Sequence, residues 1–205
     1  MNKVNYQKKL EETIENVRAQ DKKPTLLLHA CCGPCSSYVL EYLSNVFEIT
    51  VLFYNPNIQS EEEYLKRAHE LERLIDECEF SDDIKSKVLD YDDSEFYETV
   101  KGLEDCPEGG ERCFKCYELR LREAAKVAKD SKYDYFTTTL SISPLKNADK
   151  LNEIGAKLSD EFEIDYLFSD FKKNNGYQRS IELSKQFDLY RQNFCGCVYS
   201  LRDGR

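Results

Sequence analysis

The sequence has no long hydrophobic run. Its longest apolar stretches, such as Leu26–Leu28 and Val51–Tyr54, fall far short of the ~20 consecutive apolar residues that a membrane-crossing helix needs. They read instead as buried strands. The stretch Met1–Gln20 is charged and lacks the apolar core of a signal peptide. Together these absences predict a cytoplasmic protein with no membrane partner. No Pro-, Ser- or Gly-rich stretch marks a linker, and no internal repeat occurs. The 205 residues therefore fit one domain, 1–205, with an amino-terminal helix over 1–22 and a catalytic α/β domain over 23–205. A chain of this length can bury a core without disulfide staples.

Basic residues are in deficit, with 29 Lys and Arg against 39 Asp and Glu, for a formal net charge of −10. That balance excludes indiscriminate nucleic-acid binding, because phosphate contacts need Lys and Arg, and leaves room for a local basic patch. Glycine is scarce where a phosphate cradle would want it. The loop after Leu28 offers one glycine and three thiols, which weighs against an ATP-using enzyme.

Cysteine, in contrast, is abundant at nine residues. In a reducing cytosol, repeated cysteine pairs point to metal binding or catalysis rather than disulfides. The count is odd, and Cys31 and Cys32 are adjacent. Neighbouring Cα atoms lie about 3.8 Å apart, below the range of a relaxed disulfide.

Periodicity supplies the frame. Tyr6, Leu10, Ile14 and Val17 recur at helical spacing. Strands are expected at Thr25–His29, Glu48–Tyr54, Lys87–Tyr91, Tyr133–Thr139 and Ile164–Phe168. Between them the pattern predicts helices at Ser36–Val46, from Ser60 to Cys78, at Ser94–Leu103, Cys113–Lys129 and Asn147–Ser159, and finally at Tyr177–Leu189. Ser60 and Glu63 have capping-box spacing. Strands alternating with helices imply an α/β fold, a Rossmann-like parallel sheet with helices on both faces. The metal site is then expected at the carboxyl ends of the strands.

Seven cysteines fall into three clusters at such places. Cys31, Cys32 and Cys35 follow the first strand and lie at the mouth of a helix, where Gly33 and Pro34 suit a tight turn and a first helical turn. A helix amino terminus favours the thiolate, the form that binds metal. Cys113 and Cys116 share one helical face. Cys195 and Cys197 flank Gly196, which allows a sharp backbone wrap. Cys78 ends an apolar helical face and reads as core. Cys106, in an acidic Gly-rich loop, is a spare or a further ligand. His29 reads as a satisfied core histidine and His69 as surface. Seven clustered thiols exceed the four that a zinc site or cubane cluster needs, so a cluster plus a second metal, or plus redox thiols, is expected.

The stretches His29–Cys35, Gly109–Cys116 and Tyr190–Cys197, with Thr137–Lys146 and Asp170–Lys185, resemble the cobalamin-independent epoxyqueuosine reductase family (QueH) from about Thr25 to Ser200. The resemblance implies a Rossmann-like fold and the last step of queuosine biosynthesis. In that step the epoxide of epoxyqueuosine, at the wobble position of certain tRNAs, is reductively removed to leave a cyclopentene. It implies a [4Fe–4S] cluster next to a second metal ion, expected to be iron, with an electron donor such as ferredoxin or flavodoxin. Cys31, Cys32, Cys35, Cys113, Cys116, Cys195 and Cys197 are the expected metal ligands, with no division between the two groups. Ser143, Lys146, Tyr177, Arg179 and Arg191 are the expected substrate-binding residues, and no residue is singled out as the proton donor. For tRNA phosphates, Lys172, Lys173, Arg179, Lys185 and Arg191 form one basic segment, and Arg112, Lys115, Arg120 and Arg122 a second; the alternative for both is a solvated helix face. Two rival functions are an iron–sulfur thiol/disulfide electron-transfer protein, indifferent to tRNA, and a colourless non-redox zinc protein.

Overall fold

The computed structural model describes residues 4–20, 22–80 and 84–202. The chain opens with helix α1 (Tyr6–Arg18), then strand β1 (Thr25–Ala30), helix α2 (Gly33–Leu43), β2 (Glu48–Phe53), α3 (Glu61–Glu77) and β3 (Lys85–Val88). Helices α4 (Ser94–Val100) and α5 (Glu111–Asp130) precede β4 (Tyr135–Thr138) and a 3-10 turn at Thr139–Ile142. After these come α6 (Ala148–Phe162), β5 (Asp165–Tyr166), α7 (Gly176–Gln186) and the short α8 (Val198–Arg202).

The sheet is parallel throughout, in the order β3-β2-β1-β4-β5. Residues alternate across it as a strand must. Leu26 and Leu28 of β1 join Val39, Leu40 and Leu43 of α2, Leu71 and Leu74 of α3, and Leu10, Ile14 and Val17 of α1 in one core. Leu27 of the same strand faces the other core, with Leu121, Ala124 and Ala128 of α5 and Leu151 and Leu158 of α6. Both faces are thus covered by helices, as a parallel sheet requires. Among the described residues, no helix is long and apolar enough to cross a membrane.

This strand order positions the site. From β1 the chain winds to one side through β2 and β3, then returns to build β4 and β5 on the other side of β1. The connections leaving the carboxyl ends of β1 and β4 therefore diverge and open a crevice, the usual ligand position in such sheets.

Several boundaries differ from expectation. The helix after the first cysteines begins at Gly33 rather than Ser36, with Cys32 as its N-cap and Pro34 in the first turn; Pro lacks the N–H that this turn leaves unsatisfied anyway. Cys35 is thus helical. β3 lies earlier than Lys87–Tyr91, because its register is set by pairing Lys85–Val88 with Thr50–Phe53. α7 stops at Gln186, where Asp188 turns into the left-handed region with φ +47°. Ser60 accepts from the Glu63 N–H at 3.3 Å, while the Glu63 carboxylate turns to Arg67.

Candidate metal centre

The Sγ atoms of Cys31, Cys32 and Cys35 all lie within 4.8 Å of one another. β1 ends at Ala30, so Cys31 leaves the sheet; Cys32 is extended with φ −176°, and Cys35 comes back from the first turn of α2. The Cys31–Cys32 sulfur separation is 3.7 Å. Metal–sulfur bonds of about 2.3 Å in a tetrahedron place sulfurs about 3.8 Å apart, so the spacing suits a shared ion or cluster. All nine cysteines are free thiols.

A cavity of about 190 Å³ opens over this triad. Its walls include Cys31, Cys32, Cys35 and Cys195, the Thr139–Ile142 turn through Leu140 and Ile142, and the charged residues Arg67, Arg120, Lys146 and Glu108. Cys113, Cys116 and Cys197 are buried, at 9%, 7% and 7% exposure, and do not line it. Cys116 and Cys197 share an apolar cluster with Phe96, Val100 and Leu119. Thiolates at Cys195 and Cys197 would act electrostatically on both Cys113 and Cys116. Cys195 thus joins the triad at the cavity wall, while Cys113, Cys116 and Cys197 are buried away from it; among the described residues only Cys31, Cys32 and Cys35 form a group at metal-ligand spacing.

The electrostatics favour thiolates at two positions. Hydrogen bonds from Cys32 and Cys35 hold the Cys31 thiol well below its ordinary value, while the contact with Cys31 pushes Cys32 up to about 12 and the contacts with Cys31 and Cys32 push Cys35 up. Burial works against ionising Cys195, yet Lys146 and Arg120 outweigh it and lower its pKa. The Lys146 ammonium donates to the Cys195 sulfur at 3.1 Å and lies 3.8 Å from Glu108. Burial pushes Cys116 up to about 12.

Arg120 is a buried cation at 2% exposure. It donates to the Asn55 side-chain oxygen, and Asn55 in turn donates to the Ala30 carbonyl at 2.9 Å. His29, fully buried, contacts the Tyr54 carbonyl at 3.0 Å and the Thr138 hydroxyl at 2.9 Å. The tautomer that donates Nε2–H to Tyr54 and accepts Thr138 at Nδ1 satisfies both, and leaves the Arg120 Nε, 3.4 Å from Nε2, as a charge contact rather than a donor to it. Burial and then Arg120 lower the His29 pKa to about 3, so the ring is neutral. Arg120 forms no ion pair with a carboxylate among the described residues; burial opposes its charge, and thiolates at Cys116, Cys31 and Cys195 would offset that cost. A desolvated guanidinium in such a place demands anions. Thiolates at these cysteines would supply them, and soft thiolate donors suit iron–sulfur or zinc rather than magnesium or calcium.

Of the expected substrate residues, Ser143, Lys146, Tyr177 and Arg191 line the cavity. Arg179 does not: its guanidinium is taken by Glu41 at 2.6 Å and Glu182 at 3.3 Å. In the second basic group only Lys115 is exposed and without a carboxylate partner among the described ion pairs. Arg112, at 3% exposure, turns inward to the carbonyls of Leu103, Glu104 and Cys106, Arg120 is buried, and Arg122 is paired with Glu161 and Glu118. In the first segment Lys172 is held by Asp170 at 2.6 Å, whereas Lys173, Lys185 and Arg191 are exposed. Cys78 packs in the core, His69 is exposed, and Cys106 faces Arg112 through its carbonyl. The unanticipated residue is Arg67, 2% exposed on the cavity wall, with its Nη2 lacking any hydrogen-bond partner.

Comparison with known proteins gives a consistent picture. The family model for epoxyqueuosine reductase QueH matches residues 26–203. The epoxyqueuosine reductase QueH of Streptococcus pyogenes serotype M1 is 40% identical over 98% of this chain and 79% of its own length. That of Staphylococcus epidermidis is 41% identical over 97% of this chain and 85% of its own. That of Staphylococcus aureus is 40% identical over 97% and 84%.

Proposed function

The chain belongs to the epoxyqueuosine reductase QueH family and is an oxidoreductase, and from that premise we propose that the cavity over Cys31, Cys32 and Cys35 is where the epoxide of epoxyqueuosine in tRNA is reduced. The observation that carries the reading is the meeting of the three thiols within 4.8 Å at the end of β1, in a cavity whose wall also holds the buried Arg120. Cys31, Cys32, Cys35, Cys113, Cys116, Cys195 and Cys197 would hold a [4Fe–4S] cluster and a second metal, expected to be iron. When bound, these groups would supply single electrons and a Lewis acid for the epoxide oxygen.

The net change takes up two electrons and two protons, breaks both C–O bonds and releases water, leaving the cyclopentene of queuosine. The chain's own residues have five tasks. Ser143, Tyr177 and Arg191 on the cavity wall bind the modified nucleoside. The Lys146 ammonium, with burial opposed by Cys195 and Tyr117 and its pKa held high, stabilises negative charge as the oxygen leaves. Arg120 keeps its charge behind the thiolates throughout. The apolar wall from Leu140, Ile142 and Leu145 keeps bulk water from the reacting carbon. Exposed Lys173, Lys185 and Arg191 would meet RNA phosphates while the acidic remainder limits nonspecific affinity. Electrons would arrive from a ferredoxin or flavodoxin.

The test is anaerobic purification followed by iron, zinc and acid-labile sulfide analysis with a visible spectrum. tRNA carrying epoxyqueuosine is then added with a low-potential reductant. A brown protein with more than four iron per chain that forms queuosine supports the reading. A colourless protein holding only zinc after cluster reconstitution, inert toward that tRNA, overturns it.

A further inference from the structure

The segment that carries Cys195 and Cys197 has no strand or long helix behind it. Between the end of α7 at Gln186 and the start of α8 at Val198 it is irregular. Among the described residues, Tyr190–Gly196 make one backbone–backbone hydrogen bond, from the Gln59 N–H to the Gly196 carbonyl at 2.7 Å. Backbone this irregular needs side-chain partners to stay in one place.

Those partners come from one face of α3. Arg73 donates to the carbonyls of Phe187 at 3.0 Å and Asp188 at 3.2 Å. Glu70 accepts the Tyr190 N–H, and Glu63 accepts the Tyr190 hydroxyl at 3.3 Å. Arg67 lies over the Phe194 ring at 5.0 Å and donates Nη1 to the Cys195 carbonyl at 3.2 Å. Residues 63, 67, 70 and 73 are spaced by four, three and three, which places them in one row along the helix. The contacts to the segment's main chain run in reverse order, Arg73 at residues 187 and 188, Glu70 at 190, Arg67 at 195 and Gln59 at 196, so the segment runs antiparallel to α3, with the Tyr190 side chain reaching along the helix to Glu63. Glu70 also reaches the first cysteine cluster: a Cβ added at Gly33 would lie 3.5 Å from the Glu70 Cγ. One helix therefore touches both cysteine segments.

We propose that this face of α3 is a rail that delivers Cys195 and Cys197 to the metal centre, with Arg67 as the positioning residue for Cys195. The inference rests on the reading of these two cysteines as metal ligands. Arg67 suits the part because it is nearly inaccessible and already fixed. Glu63 takes its Nε at 2.7 Å, the Cys195 carbonyl takes Nη1, and Phe194 covers its plane. A buried guanidinium held at two edges and one face cannot relax without moving the backbone it holds. Arg67 acts on Cys195 through its carbonyl, so its removal should loosen the thiol without removing any ligand atom.

The experiment compares Arg67→Met, Arg67→Lys, Tyr190→Phe and Cys195→Ser with the native protein, all reconstituted anaerobically. Two readouts are taken on each sample: loss of iron to a competing chelator, and hydrogen exchange of segment 187–197 by mass spectrometry. Arg67→Met is expected to lose iron on the order of 10-fold more readily, the range of residues that orient metal ligands, with faster exchange confined to the segment. Arg67→Lys should recover part of both, and Tyr190→Phe should show a smaller change of the same sign. Native-like exchange and iron retention in Arg67→Met would overturn the rail. Should Arg67→Met not fold, native-like segment exchange in Tyr190→Phe overturns it instead. Native iron retention in Cys195→Ser would sink the ligand reading alone, since the exchange data still decide the rail.

Discussion

The first cysteine cluster and the last reach the same cavity by opposite means. Cys31 and Cys32 stand directly on the end of β1, a strand bonded on both sides, and Cys35 sits in a helix that packs on that sheet. Cys195 and Cys197 hang on a segment with almost no backbone pairing, held by Glu63, Arg67, Glu70 and Arg73. Main-chain geometry makes the first site, and side chains make the second. The first should therefore persist without metal and tolerate changes in neighbouring side chains. The second should be the part that opens, lets a metal in and fails first under mutation.

Removing ligands is the harshest way to test whether the two regions form one centre. Serine at Cys31, Cys35, Cys195 or Cys197 is expected to abolish turnover, a loss beyond the roughly 10–100-fold typical of residues around a ligand shell. Iron content and single-turnover formation of queuosine would be measured together. Full activity after Cys195→Ser or Cys197→Ser would detach the segment from the chemistry and leave the first cluster to act without it.

Acid reaches the first region through His29. His29 lies beneath the cysteine triad, and burial followed by the nearby Arg120 depresses its pKa from 6.5 to about 3. A group whose folded pKa is lowered stabilises the fold above its unfolded pKa and loses that contribution as pH falls. The window here runs from 6.5 down to about 3, at about 1.4 kcal/mol per pH unit. Carboxylates titrate in the lower part of the same range, so the informative quantity is the difference between native protein and His29→Asn in urea unfolding from pH 6.5 to 4.5. The variant should be less stable at pH 7 and distinctly flatter across the window. Parallel slopes would mean that His29 is not buried neutral beneath the triad.

Much of this contrast was legible in the sequence, and the exceptions are instructive. The three clusters, the alternating elements and the parallel sheet follow from spacing, and Gly196 was recognised as the point where the backbone wraps. The two buried arginines were not. Arg120 lies on the row Cys116, Ala124 and Ala128, and Arg67 lies three residues after Tyr64 and four before Leu71, all buried positions. Periodicity thus places both on inward faces, while residue type argues for solvent, and residue type prevailed. Arg112 was misread for the same reason. Arg179 was placed on the substrate because its partner, Glu41, is 138 residues away and no local pattern shows the pairing. β3 and α7 were misplaced at their ends because pairing register and the left-handed turn at Asp188 are set by tertiary contacts.

The finest test compares two glycines, one in each region. Gly33 opens α2, and a methyl group there would meet the Glu70 carbonyl oxygen at 3.4 Å, close to ordinary contact. Alanine is also the better helix former, by up to about 1 kcal/mol. Gly33→Ala should therefore change stability by less than about 0.5 kcal/mol, the two effects offsetting each other. Gly196 has φ +108°, a conformation closed to side chains, and its methyl would lie 3.0 Å from Ile58 and 3.1 Å from the Arg67 Nη1 that holds Cys195. Gly196→Ala is expected to cost on the order of 1–3 kcal/mol of backbone strain. Because the strain falls on the contact that seats the thiol, iron retention should drop with it, while Gly33→Ala keeps its iron. Equal iron retention in the two variants would mean that the segment adjusts as freely as the sheet holds firm, and that the side-chain row on α3 is not what fixes Cys195 in the centre.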